Sequence, residues 1–247
     1  MTDNNPYEPE AVEEEQHTSN LTLLTNVLTS PAKGMSQVKE RYSVALPMLT
    51  VTLLTGFAMY YYYTIVDYAW LVDYIVETTA GDLSKAEQDQ TRAGMNMMPQ
   101  EVMGIVSGIS MMIVIPIFYI IHAVYFLIVS NITNDGYGFK QWLSFVSWTS
   151  IPGIFIAIAM FVFLLTSSNG QISPESINPL SLNELFFNLE AHQGLGKMLA
   201  QLHLATFWTI AIMILGYQEW TKKSMGTSVA VVLIPFILIY GIWFLLI

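Results

Sequence analysis

The sequence contains no cysteine, which excludes disulfide bonds, thiolate metal sites and S-acylation. Charged residues are also scarce, at 11% of the 247 residues; an ordinary soluble domain carries about 25%. Glycine-rich phosphate loops, HExxH motifs and GxSxG motifs are all absent. We therefore expect no enzyme, no catalytic residue, no bound cofactor and no metal site.

The amino terminus lacks the basic and apolar regions of a cleavable secretion signal, so the first span is expected to remain as an anchor. Residues 1–18 carry six acidic residues and no basic one. Such a segment is too polar to bury a core, and we predict a disordered acidic tail, with a partner-binding tail as the alternative. The net charge of −10 argues against binding to nucleic acid.

Long charge-free runs organise the rest of the chain. Asp, Glu, Lys and Arg are absent from residues 44–65, 103–132, 142–173 and 226–247, and runs above about 18 apolar residues are transmembrane candidates. The pattern predicts an all-α polytopic membrane protein, with residues 43–247 forming a bundle of five transmembrane helices. The predicted spans cover residues 44–63, 99–131, 142–165, 197–218 and 227–247.

Residues 19–42 predict two short amphipathic helices before the first span. Leu21, Leu24 and Leu28 recur at helical spacing, and Ser30-Pro31 is typical of a helix N-cap followed by proline at the first helical position. The second helix is basic. Two fates remain open for this pair: insertion into the membrane interface against anionic lipid, or packing under the bundle.

The first two spans are predicted to extend beyond the membrane on the outer side. The run from Pro99 to Asn131 is roughly 50 Å long as a helix, against about 30 Å of hydrocarbon. Gly104 and Gly108 are spaced for close helix contact. We expect residues 99–110 to pack as an extended hairpin against a continuation of the first span towards Glu77. A polar loop, residues 80–94, joins them.

Basic residues predict the orientation of the bundle. One side holds six of them, in the amino-terminal helices, at residue 140 and at residues 222–223; the other side holds three, Lys85, Arg92 and Lys197. The amino terminus and both short turns are therefore predicted to be cytoplasmic, and the carboxyl terminus outside.

Two histidines are the candidate intramembrane polar site: His122 in the second span and His203 in the outer half of the fourth. With the methionines of residues 95–103, they suggest a small-solute or metal-ion transporter as the alternative function. The simpler interpretation is that each histidine makes one hydrogen bond and that the methionines pack. Prolines in four spans predict bends, which would either form a groove for a lipid tail or prenyl group or serve packing alone.

The predicted cytoplasmic face is the candidate contact surface for membrane lipids or for another membrane or lipidated protein. Its short turn, residues 134–138, is rich in glycine and flanked by aromatic residues. The candidate contact residues are Ser30, Pro31, Lys33, Lys39, Arg41, Asp135, Gly136, Tyr137, Gly138, Lys140, Lys222 and Lys223.

The order of several short segments resembles the Yip1 domain family in a short, bacterial-type form. These segments are LTSP at residues 28–31, GYGFK at 136–140 leading to SIP at 150–152, FW at 207–208, LGY at 215–217 and TKKS at 221–224. The resemblance implies a five-span protein with a cytosolic amino terminus. Eukaryotic members sit in ER and Golgi membranes, associate with prenylated Rab GTPases and act in vesicle traffic. A bacterial-type member is expected in the inner membrane.

Overall fold

The computed structural model describes residues 19–247, so the predicted disordered tail, residues 1–18, lies outside the described residues. The described residues form α-helices and one π-helical turn, Asn183–Phe187, with no β-strand. The all-α fold class is confirmed. The helices are α1 Asn20–Thr29, α2 Pro31–Arg41, α3 Ala45–Ile65, α4 Tyr68–Ala80, α5 Lys85–Asn96, α6 Gln100–Thr133, α7 Phe139–Thr149, α8 Gly153–Thr166, α9 Gly194–Ala200, α10 Leu204–Thr221 and α11 Met225–Leu246.

Three of the described helices are long and apolar enough to cross a membrane: α3, α6 and α11. A fourth crossing results if α7 and α8, which meet at a bend of 40°, are counted as one span. The protein is therefore multi-pass. The remaining predicted span, residues 197–218, is not a single helix, because the chain breaks at residues 201–203 between α9 and α10.

The bend between α7 and α8 lies inside the third predicted span. Pro152 has no backbone N–H to continue the helix, and its ring disfavours helical geometry at Ile151. The backbone N–H and the hydroxyl of Ser150 both donate to the carbonyl of Val146, at 3.1 and 2.8 Å, at the end of α7. Ser150 and Gly153 consequently line a cavity rather than a continuous helix face.

Helices α3 and α6 pack closely at the predicted small residues. A Cβ on Gly108 would lie 2.9 Å from the carbonyl oxygen of Gly56, and a Cβ on Gly104 would lie 3.3 Å from that of Tyr60. The side chain of Gln100 donates to the carbonyls of Tyr63 and Val66 at 2.6 and 2.9 Å. The first turn of α6 is thereby held beside the end of α3.

The extension predicted for the first two spans differs from the prediction in its pairing. The continuation of the first span is a separate helix, α4, and its partner is α5 rather than residues 99–110. Arg92 of α5 forms a 2.8 Å ion pair with Asp73 of α4. Residues 80–94 were predicted as a loop, but the side chains of Ser84 and Glu87 form a capping box that starts α5. This S-x-x-E signal was present in the sequence.

The amino-terminal helices pack under the bundle. Leu23, Val27, Met35 and Val38 are fully buried, so the apolar face of α1 and α2 is used inside the protein. A Cβ on Gly34 would lie 2.4 Å from the backbone nitrogen of Val27, which shows how closely the two helices approach. The packing alternative is therefore favoured over insertion into the membrane interface.

Candidate functional site

The glycine-rich turn between α6 and α7 has the conformation that its sequence predicts. Asn134 has φ of 53° and Gly136 has φ of 78°, both in the left-handed region that Asn and Gly tolerate. The N–H groups of Asn134 and Asp135 both bond to the carbonyl of Ser130, which ends α6. The turn thus reverses the chain directly into α7.

The side chain of Asp135, in this turn, is buried. Its carboxylate is only 5% exposed and forms an ion pair with Lys223, whose side chain is 21% exposed. It also accepts a hydrogen bond from the Thr133 hydroxyl at 2.7 Å. These contacts compensate the charge that burial would otherwise disfavour. Lys140, the other charged residue of the predicted turn region, stays exposed at the start of α7.

The carboxyl end of α10 also joins distant segments of the chain. The backbone carbonyl of Trp220 accepts hydrogen bonds from the Lys39 ammonium at 3.2 Å and from the Tyr137 hydroxyl at 2.7 Å. A cation suits this position because helix carboxyl termini present unpaired carbonyls and a negative dipole end. The Trp220 indole also donates to the carbonyl of Met35 at 2.8 Å, which ties α2 to α10.

We call Lys39, Asp135, Tyr137, Trp220 and Lys223 the turn-side cluster. Four of these were candidate residues from the sequence, and the structure brings them together from three distant segments. Trp220 was missed, since nothing in the sequence distinguishes a buried tryptophan at a helix end from an interfacial one. The remaining candidates are exposed or half-buried around the cluster: Ser30, Pro31, Lys33, Arg41, Gly136, Gly138, Lys140 and Lys222.

An open cavity of about 410 Å³ lies between α3, α6, the α7–α8 bend, the loop at residues 174–178 and the start of α10. This volume falls within the usual range for small-molecule sites. Its apolar walls include Met59, Met111, Ile115, Ile156 and Met160. Its polar end is formed by Glu175, Asn178, Gln201 and His203.

The hydrogen bonds at the polar end indicate which ring nitrogen of His203 carries the hydrogen. The Asn178 side-chain oxygen accepts from the N–H of Leu180 at 3.0 Å, so its amide nitrogen is the group 2.9 Å from His203 Nδ1. Because that nitrogen donates, Nδ1 accepts and the neutral ring carries its hydrogen on Nε2. His203 therefore has one N–H donor left to offer at the cavity.

The two histidines of the candidate intramembrane polar site have different hydrogen-bond partners. His122 Nδ1 lies 3.1 Å from the carbonyl of Phe118 within α6, whereas His203 precedes α10 and bonds to Asn178. Each histidine thus takes its own local partner. Met97 is 86% exposed, and the described residues contain no group of three His, Cys, Asp or Glu side chains placed to hold a metal ion. The methionines of residues 95–103 do not line the cavity.

Glu175 is the only charged residue among the described residues that line the cavity. Its Oε2 accepts a hydrogen bond from the Tyr74 hydroxyl at 3.1 Å. Burial and then the neighbouring Glu175 carboxylate raise the pKa of Tyr74 from its ordinary value of 10.0 to about 12. No Lys, Arg or His among residues 19–247 forms an ion pair with Glu175.

Several apolar helices of spanning length around a buried aromatic core define a multi-pass α-helical membrane protein. The chain belongs to the Yip1 domain family, whose family model matches residues 25–246. Comparison with curated proteins and with solved structures gives no significant match.

Proposed function

We propose that this protein is a non-enzymatic membrane-organising protein that binds anionic lipid headgroups at the turn side of the bundle. The observation that carries the proposal is the turn-side cluster. It fixes the amino-terminal helices, the residue 134–138 turn and the end of α10 as one surface, while Lys33 and Lys140 remain exposed there. Lysines close to a membrane surface attract anionic lipid by about 1 kcal/mol each.

Five spans and a cytoplasmic turn side complete the proposal. The Asp135–Lys223 pair supports the placement of the α6–α7 turn and the α10–α11 turn on one side of the membrane. If α7 and α8 together cross once, α10 must cross back for this contact to form. The basic-residue excess then supports a cytoplasmic turn side, with the carboxyl terminus outside, as in a bacterial inner-membrane protein.

The proposal is tested by native mass spectrometry of the protein released from bilayers that contain phosphatidylglycerol and phosphatidylcholine. We expect the double variant Lys33→Glu/Lys140→Glu to retain several-fold less phosphatidylglycerol than the wild type. The matched control is Lys85→Glu/Lys197→Glu, which changes two exposed lysines in other segments by the same charge.

Equal retention of phosphatidylglycerol by both double variants would contradict headgroup binding at the turn side. Co-purification of a stoichiometric protein partner, lost in Lys33→Glu/Lys140→Glu and kept in the control, would instead assign this surface to a lipidated or membrane protein. A role in membrane organisation or traffic would then act through that partner.

A further inference from the structure

We propose that the open cavity binds an amphiphile with an ammonium headgroup, its cation at Glu175 and its hydrocarbon chain between α3, α6 and α8. The cavity is built from other residues than the turn-side cluster. This inference therefore does not depend on headgroup binding at the turn side.

The apolar part of the cavity suits a hydrocarbon chain. Its walls come from three helices and include Val51 and Met59 of α3, Met111 and Ile115 of α6, and Ile156 of α8. Thioether side chains adapt to irregular apolar ligands because they are unbranched and polarisable. The α7–α8 bend at Pro152 leaves this space unfilled by a continuous helix.

The headgroup chemistry follows from Glu175. It is a half-buried carboxylate at the polar end of a mainly apolar cavity. Tyr74 supplies one hydrogen bond to Oε2, but the described residues supply no cation to Glu175. A ligand ammonium would pair with this carboxylate and donate a charge-assisted hydrogen bond to it.

His203 adds a second polar requirement at the same end. Its Nδ1 is occupied by Asn178, which leaves Nε2–H to donate to a ligand oxygen. A phosphate or ester oxygen close to the ammonium fits this donor. An amphiphile with both groups therefore matches the polar end better than a simple alkylamine does.

A small hydrated metal ion does not match this site. Hard cations need six or more oxygen ligands to replace their hydration shell. The cavity offers one carboxylate, a few amide and hydroxyl groups and a mainly apolar wall. The apolar walls therefore favour an organic cation with a hydrocarbon chain.

The first experiment needs no variant. The purified protein in a neutral detergent is titrated with lysophosphatidylethanolamine, with lysophosphatidylglycerol of the same chain length, and with free ethanolamine, and bound ligand is counted by native mass spectrometry. We expect lysophosphatidylethanolamine to bind about tenfold more tightly than lysophosphatidylglycerol, and ethanolamine not to bind. Equal affinity for the two lysolipids overturns the assignment of the headgroup, and binding of ethanolamine overturns the need for a chain.

Two variants then locate the ligand. Glu175→Gln should lower the affinity for lysophosphatidylethanolamine about tenfold and remove the preference, while Glu190→Gln, an exposed position of the same loop, should keep it. Ile156→Trp fills the cavity and should abolish binding of both lysolipids. Ile158 lies on the same helix, is 48% exposed and does not line the cavity. The variant Ile158→Trp should therefore bind both lysolipids as the wild type does. Unchanged binding in Glu175→Gln or in Ile156→Trp overturns the proposal.

Discussion

Asp135 and Lys223 lie 88 residues apart in the chain and form an ion pair that joins the α6–α7 turn to the α10–α11 turn. The carboxylate is almost fully buried, whereas the lysine keeps about a fifth of its side chain exposed. Thr133 donates to the same carboxylate oxygen atom that lies 3.5 Å from the Tyr217 hydroxyl. The pair is therefore part of a hydrogen-bonded group rather than a surface contact.

Removing the charge of Asp135 is expected to destabilise the protein. Asp135→Asn keeps the shape of the side chain but leaves Lys223 without its anion in a partly buried site, at a cost of about 1–3 kcal/mol. The apparent midpoint of thermal unfolding in detergent should fall accordingly. Lys140→Ala is the control, because Lys140 is exposed, and it should change the stability by less than about 0.5 kcal/mol. A larger effect from Lys140→Ala would mean that the exposed lysine supports the turn.

The contact between α3 and α6 predicts opposite effects for the same substitution at two glycines. In a helix, Gly→Ala is intrinsically favourable by about 1 kcal/mol. At Gly108 the added Cβ would meet the carbonyl oxygen of Gly56 at 2.9 Å, whereas at Gly241 of α11 it would meet nothing within 4 Å.

We therefore expect Gly108→Ala to lower the midpoint of thermal unfolding and Gly241→Ala to leave it unchanged or raise it. The backbone of α3 cannot move away from Gly108 without disturbing the Gly104 contact one turn earlier. Tolerance of Gly108→Ala would show that the two helices separate readily and that the close approach adds little stability.

Two buried tryptophans in one core differ in their hydrogen bonding. Trp220 donates to Met35, whereas no atom of residues 19–247 accepts from the indole nitrogen of Trp142. Trp220→Phe loses a bond worth about 1 kcal/mol in addition to packing, while Trp142→Phe removes a buried donor without a partner. We expect the first substitution to be the more damaging of the two.

Hydrogen exchange can detect the local effect of Trp220→Phe. Because its indole holds α2 against α10, the amides of α1 and α2 should exchange faster in this variant than in Trp142→Phe. The amides of α6 should be similarly protected in both. Equal exchange of α1 and α2 in the two variants would show that apolar packing alone retains the amino-terminal helices.

Sequence patterns predicted the apolar helices and the turn because these depend on local signals. Charge-free runs mark α3, α6 and α11, and Asn134 and Gly136 mark the turn. Pairing between distant segments leaves no such signal. The periodicity of α1 and α2 was equally compatible with a membrane interface, and only the burial of their apolar face and the contact between Met35 and Trp220 favour packing.

The cavity was less predictable than the helices. Pro152 indicated a bend, but whether a bend encloses space depends on which helices pack around it. The fourth predicted span appeared continuous in hydropathy, yet Asn178 and His203 bond at the break between α9 and α10. This contact links residues 25 positions apart, and no local pattern encodes it. Glu175 was visible only as one acidic residue in a loop.

Tyr74 reports on the charge of Glu175 from outside the spans. Its pKa is raised to about 12, first by burial and then by the Glu175 carboxylate, which accepts its hydrogen bond. In the unfolded chain a tyrosine ionises near pH 10. Between pH 10 and about 12 the unfolded chain therefore loses this proton while the folded protein keeps it. The contribution of Tyr74 to stability is complete below pH 10 and falls as the pH rises through this window.

The difference in alkaline near-ultraviolet titration between the wild type and Tyr74→Phe should show one tyrosine with a pKa of about 12. In a Glu175→Gln background the pKa of Tyr74 obtained from the same difference should fall towards 10 without reaching it. Burial, which is the larger cause of the raised pKa, remains in that variant. Glu184→Gln, in the same loop but not in contact with Tyr74, should leave the titration unchanged. If the pKa of Tyr74 stays at about 12 in Glu175→Gln, the Glu175 carboxylate does not raise it. That result would remove the electrostatic reason for an ammonium ligand.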